Sequence, residues 1–155
     1  MKKAKKVKEK KLVELKLSPA CNKILKDNIW RLKKPMYLEK TDERYKNHVK
    51  QLKELGFSNS ETWSLDGVIS MFILPRLVKF RNIGAAFPYA DDNGEHMTME
   101  KWTVILDKMI FAFEWNLTFE ERENDKLSDE VREANWKRYQ EGLDLFAKWF
   151  RALWW

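Results

Sequence analysis

The sequence predicts an all-α protein: a compact single-domain bundle of five or six helices, one of them kinked or broken at Pro75. Three observations predict it. Apolar residues recur at three- and four-residue spacing in several long segments, and no segment alternates as a strand would. Helix-start residues (Ser, Thr, Asp) stand just ahead of those segments. Finally, 155 residues with 44% hydrophobic and 35% charged side chains suit one domain with a real core.

The chain opens on a lysine-rich stretch, MKKAKKVKEKKLVELK, which carries the net charge of +6 and leaves the remainder neutral. Residues 1–16 are therefore expected to be a flexible arm, with residues 17–155 forming the helical domain. Such an arm offers salt-dependent attraction to phosphates, so nucleic acid is a partner to test through Lys2–Lys16. A solvated terminus without a role is the alternative.

Ser18 followed by Pro19 is a cap and a first helical residue. Ile24, Leu25, Ile29 and Leu32 continue the period, and Pro35 closes the segment. A second helix is expected from Asp42 to Leu55, with Tyr45, Val49, Leu52 and Leu55 on one face and Gly56 as its left-handed stop. Ser60 is read as the cap of the next stretch, whose apolar residues (Trp63, Leu65, Ile69, Phe72, Ile73) fill more than one face.

Pro75 lacks an amide N–H and its ring crowds the carbonyl of Met71. The break should free carbonyls near Met71 and Phe72, and Arg76 carries five N–H donors to satisfy them or to face a ligand. Asp66, Asp107 and Glu114 are the other charges set in apolar helical stretches. An Arg76–Asp66 or Arg76–Asp107 pair would offset the cost of burying them. Exposure at a helix border is the alternative.

Residues 83–97 form the longest loop signal. Thr98 then caps a helix with a stripe of Trp102, Ile105, Leu106, Met109 and Phe113, widened by Ile110 and Phe111 into a central position. Thr118–Glu121 (TFEE) matches a capping box, and Ser128 starts a final helix with Tyr139, Leu143, Phe146, Phe150 and Leu153 in phase.

Catalytic and metal signatures are few. Cys21 is alone, which excludes a disulfide framework and a CxxC site. His48 and His96 do not stand three residues after a glutamate, so the carboxylate di-metal pattern fails. The segment YADDNGEHMTME aligns with a calcium loop at Asp91, Asn93, Gly94 and Glu100, but Tyr89 stands where the first ligand belongs. No phosphate loop, dinucleotide fingerprint or nucleophile elbow is present. No cofactor is expected.

No apolar run is long enough for a signal peptide or a membrane-crossing helix, which points to the cytoplasm and to no membrane partner. Trp or Phe stands beside Arg or Lys in IWRLKK, RLVKFR and KWFRALWW, a pattern that stacks bases or, more simply, rims a core. With eight tryptophans in the chain, the terminal pair Trp154 and Trp155 points to docking on the body or to a homo-oligomer through an aromatic surface.

The segments ETWSLDGVISMFILPRL, EKWTVILDKMIFAFE and EGLDLFAKWFRALWW resemble a group of small proteins encoded by tailed bacteriophages, over roughly residues 57–155. The group brings no catalytic residues to carry over. The resemblance implies expression in the cytoplasm of an infected bacterium.

The function expected is that of a non-enzymatic binding protein that antagonises a host function. It would sequester an anionic nucleotide-type defence signal or block a host protein. A nucleotide would be stacked by Trp63 or Trp102 and held by Arg76 and Lys79, with Asp66 beside them. Three alternatives accompany it: a nucleic-acid accessory protein using the arm, a virion assembly protein, and a magnesium-dependent nuclease built on Asp66, Asp107 and Glu114.

Overall fold

The computed structural model describes residues 14–28, 41–84, 86–91, 93–123 and 127–154, and among these it contains five α-helices and no strand. They are α1 (Pro19–Asn28), α2 (Glu43–Leu55), α3 (Leu65–Ile83), α4 (Met99–Glu123) and α5 (Asp129–Trp149). Short 3-10 turns occupy Asn59–Thr62 and Phe150–Ala152. The bundle is built around α4, which α1, α3 and α5 all touch. Most of the lysine arm, the Ile29, Leu32 and Pro35 signals, and Trp155 lie outside the described residues.

Local capping chemistry sets most helix starts. The Ser18 hydroxyl accepts the Cys21 N–H and Glu114 accepts the Ser18 N–H, so α4 helps to cap α1. Asp42 accepts the Arg44 N–H at α2, Thr98 the Lys101 N–H at α4, and Ser128 the Val131 N–H at α5. Gly56 ends α2 with φ of 79°, a left-handed conformation that a β-carbon disfavours.

The residue before α3 is Ser64 and not Ser60, because a 3-10 turn intervenes at Asn59–Thr62. There the Glu61 carboxylate reaches back to accept the Ser58 N–H at 2.7 Å.

Packing decides between the two alternatives at Pro75 and corrects one expected boundary. Of the kink or break expected at Pro75, the break does not occur: α3 runs through the proline. A proline inside a helix costs about 3 kcal/mol, yet Leu74 and Leu77 on either side are buried against α4, and stopping there would expose them. Helix α4 likewise does not restart at Thr118. The buried Thr118 hydroxyl donates to the Glu114 carbonyl within the same helix, which satisfies it without a new cap. Near the end of the expected arm, Leu15 is tied to α3. The Leu15 N–H donates to Asn82 Oδ1 and Asn82 Nδ2 donates to the Leu15 carbonyl, both at 2.9 Å, while Leu15 and Leu17 pack on the core.

The core joins Cys21 of α1, Leu74 and Leu77 of α3, Met97, and Trp102, Leu106, Met109, Ile110 and Phe113 of α4. Trp149 and Phe146 of α5 close it edge-on against Trp102 and Phe113, with ring centroids 5.7 and 4.9 Å apart. Such T-shaped pairs place a positive ring edge on a negative face. Arg81, 7% exposed, straddles the α3–α4 seam and donates to both Asp107 oxygens at 2.8 and 3.2 Å. That fork fixes the axial register of the two helices.

His48 of α2 is buried, with Nδ1 3.3 Å from the Ser60 hydroxyl and no hydrogen-bond partner for Nε2 among the described residues. Burial holds its pKa below the ordinary value, and the charge of Glu61 only partly opposes this. The unfolded chain therefore binds the proton more readily than the folded one. The stabilising contribution is present above about pH 6.5 and is lost as pH falls through the lower folded value. Thermal melts at pH 7.5 and 5.5 should show a loss on acidification that is smaller in His48→Gln. An equal loss in both proteins would remove His48 as its source.

Candidate functional site

Helix α3 is apolar nearly all round, so α4 covers only one side of it. Ser70, Leu74, Leu77 and Arg81 step by four, three and four residues along the buried side. Leu65, Ile69, Phe72, Arg76, Lys79 and Ile83 step by four, three, four, three and four along the opposite side. All six of these are exposed, with Phe72 at 50% and Leu65 at 51%. The row is about 27 Å long at 1.5 Å per residue. Trp63, 93% exposed, stands two residues ahead of its start.

The charge on this row is organised. The Arg76 guanidinium lies 3.9 Å from the centroid of the Phe72 ring, and Nη1 donates to the Phe72 carbonyl at 2.5 Å. The expectation that arginine would serve a carbonyl near the proline is met at Phe72. The expected Arg76–Asp66 and Arg76–Asp107 pairs are not made. Arg81 takes Asp107, because Arg81 is in phase with the buried leucines and Arg76 with the exposed row. The sequence shows that Arg81 shares a phase with Leu74 and Leu77, but which of the two apolar sides is buried was set by α4.

The remaining predicted site residues separate. Lys79 belongs to the exposed row. Asp66 lies at its flank, where its Oδ2 accepts from Asn116 Nδ2, which also donates to Ser70. Trp102 is 1% exposed in the core and presents no face to a ligand. Trp63 and Trp102 thus do not form a stacking pocket with Arg76.

The three nuclease carboxylates are also dispersed among different tasks. Asp66 faces Asn116, Asp107 faces Arg81, and Glu114 caps α1. Among the described residues no group of three or more His, Cys, Asp or Glu is placed to hold a metal ion.

The calcium-like loop is held by a side-chain cation. Asp91 Oδ1 accepts the N–H groups of Asn93 and Glu95, and Lys101 Nζ bridges Asp91 and Glu95 at 3.0 and 3.1 Å. The Lys101 hydrogen bond keeps the Asp91 carboxyl below its ordinary range. Ala90 and His96 pair across the turn as an isolated bridge.

A groove of about 210 Å³ between α4 and α5 is lined by Val104, Asp107, Lys108, Phe111, Arg138 and Glu141. Its charges are matched internally. Lys108 pairs with Glu141, Arg138 lies over Phe111, and Asp107 is held by Arg81. A phosphate placed there would face two carboxylates. The exposed row of α3 is the better site, because among the described residues its side chains are exposed and its cations form no salt bridge.

No helix among the described residues is long and apolar enough to cross a membrane. Comparison with protein-family models, with curated proteins and with solved structures finds no match.

Proposed function

We propose that this protein is a non-enzymatic, phage-encoded binding protein that antagonises a host function by docking onto a host protein through the outer face of α3. The observation that carries the reading is the exposed row of Leu65, Ile69, Phe72, Arg76, Lys79 and Ile83. The exposed apolar cluster of Leu65, Ile69 and Phe72, with the cations Arg76 and Lys79 at its border, is costly to leave in water and typical of an interaction face. The resemblance of residues 57–155 to small phage proteins supplies the cellular setting, the cytoplasm of an infected bacterium.

A protein partner fits this face better than a nucleotide does. Arg76 and Lys79 stand on an open helix surface among aliphatic side chains, whereas nucleotide sites enclose the base and the phosphates. Expression in a bacterial host, scored by growth and by plating of an infecting phage, tests the reading. Ile69→Glu with Phe72→Glu should abolish the effect, with a stability change under about 1 kcal/mol because both side chains are already half exposed. A variant that melts like the parent and keeps its effect would reject α3 as the working face. A nucleotide mass released on denaturation in mass spectrometry would instead restore the sequestration reading.

A further inference from the structure

Resting on that reading, we infer that the element docked on α3 is an acidic amphipathic helix of about five turns. The row carries two cations and no anion. Asp66 sits to one side of it and is engaged with Asn116. Among the described residues neither Arg76 nor Lys79 forms a salt bridge. Arg76 spends one N–H on the Phe72 carbonyl, which leaves a fork suited to a carboxylate.

The apolar and cationic parts are also divided along the row. Leu65, Ile69 and Phe72 occupy the N-terminal half, and Arg76 and Lys79 the C-terminal half, before Ile83 closes it. A matching helix lays apolar side chains over the first half and carboxylates over the second. The alternating four–three spacing is that of a helix ridge, which seats in the grooves of another helix.

A second copy of this chain fits less well. Antiparallel pairing centred on Leu74 would bring two Arg76 guanidinium groups within about 6 Å along the seam, with both Lys79 groups in the same interface. Like charges there oppose association. A nucleic acid supplies phosphates and a base face for Phe72, but no aliphatic surface for Leu65 and Ile69 to bury against.

The test uses the full chain and two fluorescein-labelled, alanine-based 20-residue helices. One carries leucines at four–three spacing flanked by glutamates, and the other has lysine at each glutamate position. Fluorescence anisotropy should show the glutamate helix bound at least tenfold more tightly. The double variant Arg76→Glu with Lys79→Glu should reverse the preference. Phe72→Glu should abolish specific binding of both probes, and any residual attraction to the basic arm is read directly in that variant. Circular dichroism of each variant should match the parent.

Equal binding of the two helices, binding of neither, or a preference unchanged by the charge swap would overturn the assignment. So would a wild-type dimer dissociated by Phe72→Glu, which would give the face to a second copy. Binding to phosphatidylserine vesicles that is lost in Phe72→Glu would give it to a lipid surface. If the peptide preference fails while the Ile69/Phe72 variant still loses its effect in the host, docking stands and only the acidic helix is rejected. If both fail, the docking reading itself is rejected.

Discussion

Trp102→Ala is expected to lower stability by about 4 kcal/mol, or roughly 10 °C in Tm for a chain of this length. Trp102 is 1% exposed and meets Trp149 edge-on, so truncation opens a cavity between α4 and α5. The same substitution at Trp63, 93% exposed, should change stability by less than about 0.5 kcal/mol. The contrast separates a core ring from a surface one. It bears directly on ligand binding, since a stacking tryptophan would lose ligand and keep its fold.

Trp102→Phe supplies a second check. The indole Nε1 has no hydrogen-bond partner among the described residues, and leaving a buried donor unmade costs about 1–3 kcal/mol. Phenylalanine gives up part of the packing and removes that donor, so its net cost should stay below about 1.5 kcal/mol. Chemical denaturation of the four proteins measures both differences. A Trp102→Ala cost below about 1 kcal/mol would mean that the ring does not hold α5 against α4.

The second large effect is expected at Gly142. A β-carbon there would lie 2.3 Å from the Lys108 carbonyl oxygen and 2.7 Å from the Ala112 β-carbon of α4. In an isolated helix, Gly→Ala gains about 1 kcal/mol. The clash outweighs that gain because the obstacle is backbone, so α5 must move away from α4 as a body. Overpacking of this kind costs about 1–3 kcal/mol, and the destabilised protein should melt lower despite its better helix propensity. Gly142→Ser, nearly as small, should be destabilised at least as much. A rise in Tm for Gly142→Ala would show that α4 and α5 lie farther apart than the structure has them.

Much of the architecture was legible because its causes are local. Capping is decided within about three residues, so Ser18, Asp42, Thr98 and Ser128 could be read as helix starts and Gly56 as a stop. The α4 stripe was legible because its apolar residues hold one period for many turns, and that period places Trp102, Leu106, Met109 and Phe113 on one inward face. The local rules failed where a local signal competed with burial farther along. Pro75 read as a kink or a boundary and the Thr118–Glu121 box as a boundary, and the helices run through both because they gain more from continuing against their neighbours than from stopping.

The candidate site divides in the same way. Arg76 and Lys79 could be singled out from sequence as cations in an apolar stretch, and their shared row with Leu65, Ile69 and Phe72 follows from a period of 3.6. Sequence could not choose which side of α3 faces inward, because both sides are apolar. The choice depends on where α4 lies, and α4 turns the side bearing Leu74, Leu77 and Arg81 into the core. By itself the sequence determined the helices, their caps and the absence of familiar catalytic motifs, since these depend on neighbours along the chain. Only the tertiary structure decided that Arg81 pairs with Asp107, that Trp102 is core, and that Leu65, Ile69, Phe72, Arg76 and Lys79 face outward. Those outcomes depend on which surfaces meet in space, and one chain's periodicity carries no information about its partner's position.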